Sequence, residues 1–130
     1  MAWNIFPKPD EFALLGEAGV IYRESGKFRE ARDVFLGMQA LSPKSEVPEI
    51  LLGTVRFQEK QYEQAIAHYR KALALNPRCA LAYAQIGEAY MASKDKANAT
   101  MNCGKAIELD PRGDAGKFAR NVLLLIEQIG

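Results

Sequence analysis

Apolar and small residues along this chain recur with helical spacing, and the pattern itself repeats every 34 residues. Three prolines carry the period: Pro43, Pro77 and Pro111 stand 34 apart. Two residues before them are Leu41, Leu75 and Leu109, twelve before are Ala31, Ala65 and Ala99, and twenty-four before are Gly19, Gly53 and Gly87. Periodicity is the first property to test, because a missed repeat misassigns the whole fold. Weaker columns keep the same phase. They are Phe35, Tyr69 and Cys103; Phe28, Tyr62 and Lys96; Tyr22, Arg56 and Tyr90; and Met38, Ala72 and Ala106.

This phase predicts two helices per period, at about 11–24, 28–41, 46–59, 62–75, 80–93 and 96–109, and a seventh at 114–129. Each proline stops the second helix of its pair, since it lacks an N–H and biases the preceding residue away from helix. The glycines fall mid-helix, where glycine costs about 1 kcal/mol against alanine. That cost is tolerable where a missing Cβ lets a second helix approach, and Ala31, Ala65 and Ala99 are the expected small surface on that helix. Ser25-Gly26 and Ser42-Pro43-Lys44-Ser45 carry turn chemistry. Ser45 is the expected N-cap of the third helix, with Pro48 harmless in its first turn. Lys96 and Cys103 replace aromatics in the third period, so its helix pair is expected to pack more loosely.

The last segment leaves the repeat. Phe118, Val122, Leu125, Ile126 and Ile129 form an apolar stripe at helical spacing. No second helix follows, and the stripe predicts a capping helix that covers the open end of the array.

The order of small residue, aromatic, alanine and closing proline resembles the tetratricopeptide repeat (TPR) family over about residues 12–113. The resemblance implies an all-α fold, a superhelix of three antiparallel helix pairs plus a C-terminal capping helix. The chain then divides into an N-terminal tail (1–10), three repeats within 11–113 (about 12–45, 46–79 and 80–113), and the capping helix (114–130). In that family the first helix of each pair lines a concave side. Helical periodicity selects the residues on its free face: Ala13, Gly16, Val20 and Arg23, then Val47, Ile50, Thr54 and Phe57, then Leu81, Ala84, Glu88 and Met91.

That face is mostly apolar, and an exposed apolar patch marks an interaction site. Two alternatives stand beside the groove reading: some positions are core, or the chain's own N-terminus covers them. The expected function is to bind a peptide segment of a partner protein. TPR co-chaperones that clamp the acidic C-terminus of heat-shock proteins use Lys and Asn at matching groove positions. Gly16, Val20, Thr54, Ala84 and Glu88 stand there instead, so the resemblance implies no carboxylate clamp.

Leu51-Leu52-Gly53-Thr54, the stretch from Gln61 to Tyr69, and Gly87-Glu88-Ala89-Tyr90 also look like the class II chaperones of bacterial type III secretion. That resemblance implies a hydrophobic translocator client lying along Val20, Ile50, Phe57, Leu81 and Met91. The alternative is a structural adaptor or self-assembling scaffold without chaperone activity. Trp3, Ile5 and Phe6 place apolar anchors on the tail, suited to docking on the same protomer or on a second copy in a homodimer.

Composition narrows the chemistry. A net charge of +1 with no Lys/Arg block lacks the footprint of a nucleic-acid binder. No stretch approaches the roughly 18 apolar residues of a membrane span. Cys79 and Cys103 form no CxxC and no disulfide framework, which fits a reducing, cytoplasmic compartment. The lone His68 has no companion nucleophile or ligand in sequence and is expected on a solvated surface. Phosphate-loop, zinc-protease and nucleophile-elbow motifs are absent, so neither a cofactor nor an enzymatic activity is expected.

Overall fold

The 34-residue phase becomes an alternation of antiparallel helices. The computed structural model describes residues 9–129, so Trp3, Ile5 and Phe6 lie outside the described residues. The helices are α1 (Pro9–Glu24), α2 (Phe28–Leu41), α3 (Val47–Gln58), α4 (Tyr62–Leu75), α5 (Ala80–Ala92), α6 (Lys96–Leu109) and α7 (Asp114–Ile129). They pack as sequential pairs, α1 on α2, α3 on α4 and α5 on α6, and each second helix also meets the next first helix. α7 lies against both α5 and α6. Each end agrees with the sequence expectation within two residues.

The glycine columns show why the pairs close. A Cβ on Gly19 would stand 2.8 Å from Cζ of Phe35, and one on Gly53 would stand 2.7 Å from Cδ1 of Tyr69. Real Cβ atoms essentially never come that near, so the ring of the second helix occupies the volume that glycine vacates. The counterpart of each glycine is therefore chiefly the residue eight before the proline, not the alanine column expected from sequence. At Gly87 that residue is Cys103, whose Sγ fills the space, and the α6 backbone closes in with Ala99 O at 3.2 Å and Cys103 N at 3.3 Å. The third pair is thus filled at this contact despite its missing ring.

Ala31, Ala65 and Ala99 are completely buried, as are Ala72 and Ala106 nearer the helix ends. They belong to three clusters, one centred on Phe35, one on Tyr69 and one on Cys103. Each cluster joins a helix pair to a neighbouring helix, so the core runs as a chain of local contacts. In α7 the residues facing the last cluster are Ala119, Val122 and Ile126, with Phe118 partly buried. Leu125, expected in that stripe, is 49% exposed. It neighbours the buried Ile126 but points about 100° away around the helix axis.

A further column emerges only from the backbone. Gly26, Lys60 and Lys94 stand 34 apart and take φ of 77°, 63° and 66°. Each ends the first helix of its pair in the same way. Lys27 N donates to Tyr22 O at 2.8 Å, Gln61 N to Arg56 O at 2.9 Å, and Asp95 N to Tyr90 O at 2.8 Å. These bonds close a left-handed helix cap, a position where glycine is the unstrained residue. At the other end of α3 the N-cap is Glu46, not the expected Ser45, and its side chain makes no capping hydrogen bond. Ser45, one residue earlier, accepts from Val47 N at 3.2 Å in a local turn ahead of the helix.

Gly53→Ala is expected to lower the unfolding free energy by about 1–2 kcal/mol, overpacking outweighing the gain in helix propensity. Gly37→Ala, where an added Cβ meets nothing within 4 Å, is expected to raise it by about 0.5–1 kcal/mol. Urea titrations monitored by circular dichroism separate the two. The same titration on Lys60→Gly should show about 1 kcal/mol of added stability, because the left-handed strain of a lysine is released.

Candidate functional site

The first helices of the pairs share one side of the array, and between them runs a groove with two continuous parts. The wider part, about 720 Å³, is lined by Phe12, Ala13, Gly16, Glu17, Val20 and Ile21 of α1, Met38 of α2, and Val47 and Leu51 of α3. The narrower part, about 390 Å³, takes in Val20, Arg23, Ile50, Leu51, Thr54, Phe57, Gln58, Tyr69, Leu81, Gln85 and Glu88. Val20 and Leu51 line both parts, so the two form one surface. A separate depression between α4, α5 and α6 is bordered by Arg70, Lys105 and Glu108, and lacks this apolar continuity.

The groove positions named from sequence do not share one fate. Val47 and Leu81 are open to solvent, 40% and 41% exposed, and stand where a ligand can reach them. Val20, Arg23, Thr54, Phe57 and Glu88 are partly buried and line the groove wall. Ile50 retains only 7% exposure, belongs to the core around Tyr69, and serves as groove floor. Ala84 has to be withdrawn, because it is completely buried in the cluster that α7 completes. Met91 packs against that same cluster and lines neither part of the groove. The capping helix therefore claims part of the third pair's share of this face, leaving Leu81, Gln85 and Glu88 to the groove. Eight further residues line the groove outside the positions expected from sequence: Phe12, Glu17, Ile21, Met38, Leu51, Gln58, Tyr69 and Gln85. They enter where neighbouring helices meet side by side, which a count along one helix does not register.

The groove's polar groups are unevenly provided for. Arg23 is the one cation among the described lining residues, and it is engaged. Its Nη1 donates to Thr54 Oγ1 at 2.6 Å, while Nε and Nη2 reach Glu24 Oε1 at 3.3 and 3.0 Å. The hydrogen bond from Arg23 is the chief cause that holds the Glu24 carboxyl below its usual range. Glu88 has no such help, and burial raises its carboxyl pKa above the ordinary glutamate range. Burial and then the Glu88 charge raise the Tyr69 phenol, and the same two causes push the Cys103 thiol up to about 11. Cys79 is also raised, first by burial. Neither thiol is poised for nucleophilic work, since the thiolate is the reactive form.

His68 corrects the solvated-surface expectation. Its Nδ1 lies 2.8 Å from Oε2 of the buried Glu49, whose Oε1 accepts from Gln39 Nε2. The trio ties α2, α3 and α4 together across sequence gaps that no local motif displays. No group of three or more His, Cys, Asp or Glu among the described residues is arranged to hold a metal ion.

A profile described as a TPR repeat matches residues 53–94, and one described as a tetratricopeptide repeat matches residues 80–112. Residues 53–112 carry tetratricopeptide repeats, and the chain has the TPR fold. TPR domains are protein-interaction units, a family not typically enzymatic. No curated protein matches this TPR chain by sequence. Among solved structures it is similar to the first TPR of Spaghetti (RPAP3) bound to the HSP90 peptide SRMEEVD. That likeness has 26% identity and a TM-score of 0.75, and covers 97% of this chain and 98% of that one. It shares its fold with the Yersinia enterocolitica type III secretion translocator chaperone SycD, at 20% identity and a TM-score of 0.80, covering 93% and 91%. It likewise shares its fold with PcrH in complex with the chaperone-binding region of PopD, at 19% identity and a TM-score of 0.76, covering 97% and 96%. Among the described residues, no helix of the TPR array is long and apolar enough to cross a membrane.

Replacing the buried, unneutralised carboxylate is expected to stabilise this TPR array at neutral pH. An acid whose pKa is raised by folding contributes stability below its unfolded pKa and loses it as pH rises through the folded value. Glu88→Gln should therefore raise Tm at pH 7, with the gain shrinking as pH falls toward the ordinary glutamate range. Thermal melts of both proteins across that window test the sign; a gain independent of pH would contradict it.

Proposed function

We propose that the concave groove binds an apolar segment of a partner polypeptide. The observation that carries this is the continuous surface from Phe12 to Leu81, apolar for most of its length and open to solvent at Val47 and Leu81. Such a patch is costly to leave uncovered, and its side chains stand ready to receive anchors. The groove differs from a site for an acidic peptide, because Arg23 is already engaged and Glu17 and Glu88 supply negative charge. Its apolar lining supports the finer reading of a chaperone that holds a hydrophobic translocator before secretion. Of the structures that share this fold, SycD is described as a type III secretion translocator chaperone and PcrH is bound to the chaperone-binding region of PopD.

A second reading is an adaptor that assembles with itself. Leu14, Ile21 and Leu36 expose large apolar side chains around the first helix pair. Trp3, Ile5 and Phe6 belong to this reading as the docking tail, in cis or in trans. Sedimentation velocity on the purified chain decides it, since a lone monomer at every concentration would exclude self-assembly.

Val47→Asp and Leu81→Asp test the groove without touching its floor. Both sites are exposed, so each variant should keep its unfolding free energy to within about 0.5 kcal/mol. Each should weaken client retention about tenfold or more, since a charge there meets the client's apolar anchor. Co-purification with the protein encoded beside this chain's gene gives the readout, and retention at the parental level would overturn the groove reading.

A further inference from the structure

The narrower part of the groove is polar at one point, and that polarity has a single sign. Gln85 and Glu88 lie three residues apart on α5, hence on one helix face, and both line the groove. Gln85 Oε1 is buried and accepts no hydrogen bond. Glu88 is partly buried, and no cation or donor offsets its desolvation. The nearby cation, Arg23, is committed to Thr54 and Glu24. Acceptors withdrawn from water without donors are rare in native proteins and destabilise them, so a buried amide oxygen and a half-buried carboxylate on one face of α5 call for a donor from outside.

The surroundings say which donor. Phe57 and Leu81 flank the pair, and the cleft is about 390 Å³, room for a long side chain. A side chain that lays an apolar stem along these walls and brings a charged head to Glu88 is a lysine or an arginine. A neutral donor would satisfy Gln85 and leave the Glu88 charge without a counter-charge. An acidic residue would meet a second carboxylate.

We propose that the groove selects partner segments carrying a lysine or arginine beside apolar anchors, with the cationic head placed between Glu88 and Gln85. The proposal rests on the peptide-groove reading above and names the chemistry of its ligand. The groups on other helices that feel the Glu88 charge are Tyr69 of α4 and Cys103 of α6, and Arg23 of α1 lines the same part of the groove. None of them supplies the missing cation.

Fluorescence anisotropy on the full chain provides the test, with short labelled peptides of leucine, valine and serine as probes. A single lysine, its uncharged isostere norleucine, or a glutamate is walked along the peptide. At the best position the lysine peptide should bind about tenfold tighter than the norleucine peptide, and the glutamate peptide should bind weakest. Glu88→Gln should erase the lysine preference, bringing the ratio of lysine-peptide to norleucine-peptide affinity to about one. Gln85→Glu, which adds a carboxylate at the same spot, should strengthen it and keeps the test open should the first variant fold poorly. Equal binding of lysine and norleucine peptides, or a preference that survives Glu88→Gln, overturns the cation proposal and leaves the groove reading standing. Binding of no peptide at all overturns both.

Discussion

The contact between a glycine on each first helix and a bulky side chain on its partner sets everything else in this array. At Gly19 and Gly53 an aromatic ring lies where a Cβ would be, and at Gly87 a thiol does so. Two helices approach this closely only if one of them surrenders its side chain. That approach carries Phe35 and Tyr69 to full burial and lets Ala31 and Ala65 pack nearby without a void. Cavity and overpacking penalties bound the contact on both sides, so its geometry is narrowly defined. Three copies of one constraint, 34 residues apart, make three copies of one helix pair.

Repetition of the pair then creates the groove. Each second helix meets the following first helix, which keeps the first helices on one side of the array. α1 and α3 leave between them a wide apolar hollow floored by Met38, and α5 adds Leu81, Gln85 and Glu88 at its narrower end. α7 ends the series by packing on both α5 and α6, and in doing so it buries Ala84 and draws in Met91. The helix that makes the array stable is the same helix that limits the length of the groove.

Stability and recognition part company at Glu88. Its carboxylate is desolvated without a counter-ion, and Gln85 beside it holds a buried oxygen with no donor. Elsewhere the fold treats buried polarity differently: Glu49 is nearly inaccessible, yet it is met by His68 and Gln39. Arg23 likewise has partners for its guanidinium. The contrast sets the polar spot in the groove apart from the cross-links that hold the helices together.

The periodic columns by themselves determined the helix pairs, their ends and the capping helix, because glycine, alanine and proline act through local sterics that read the same in every repeat. The column of Gly26, Lys60 and Lys94 is invisible in residue type, since the shared property is a left-handed φ and lysine does not advertise one. Only tertiary structure decided which first-helix positions stay open in the groove. Val47 and Ile50 lie one helical turn apart in the same predicted stripe, yet one is open and the other is core, because a neighbouring helix covers the second. Ala84 was lost to α7 for the same reason, and the pairing of His68 with Glu49 joins residues on different helices. Periodicity along one helix fixes which residues share a side; how much of that side remains exposed depends on where the next helix lands.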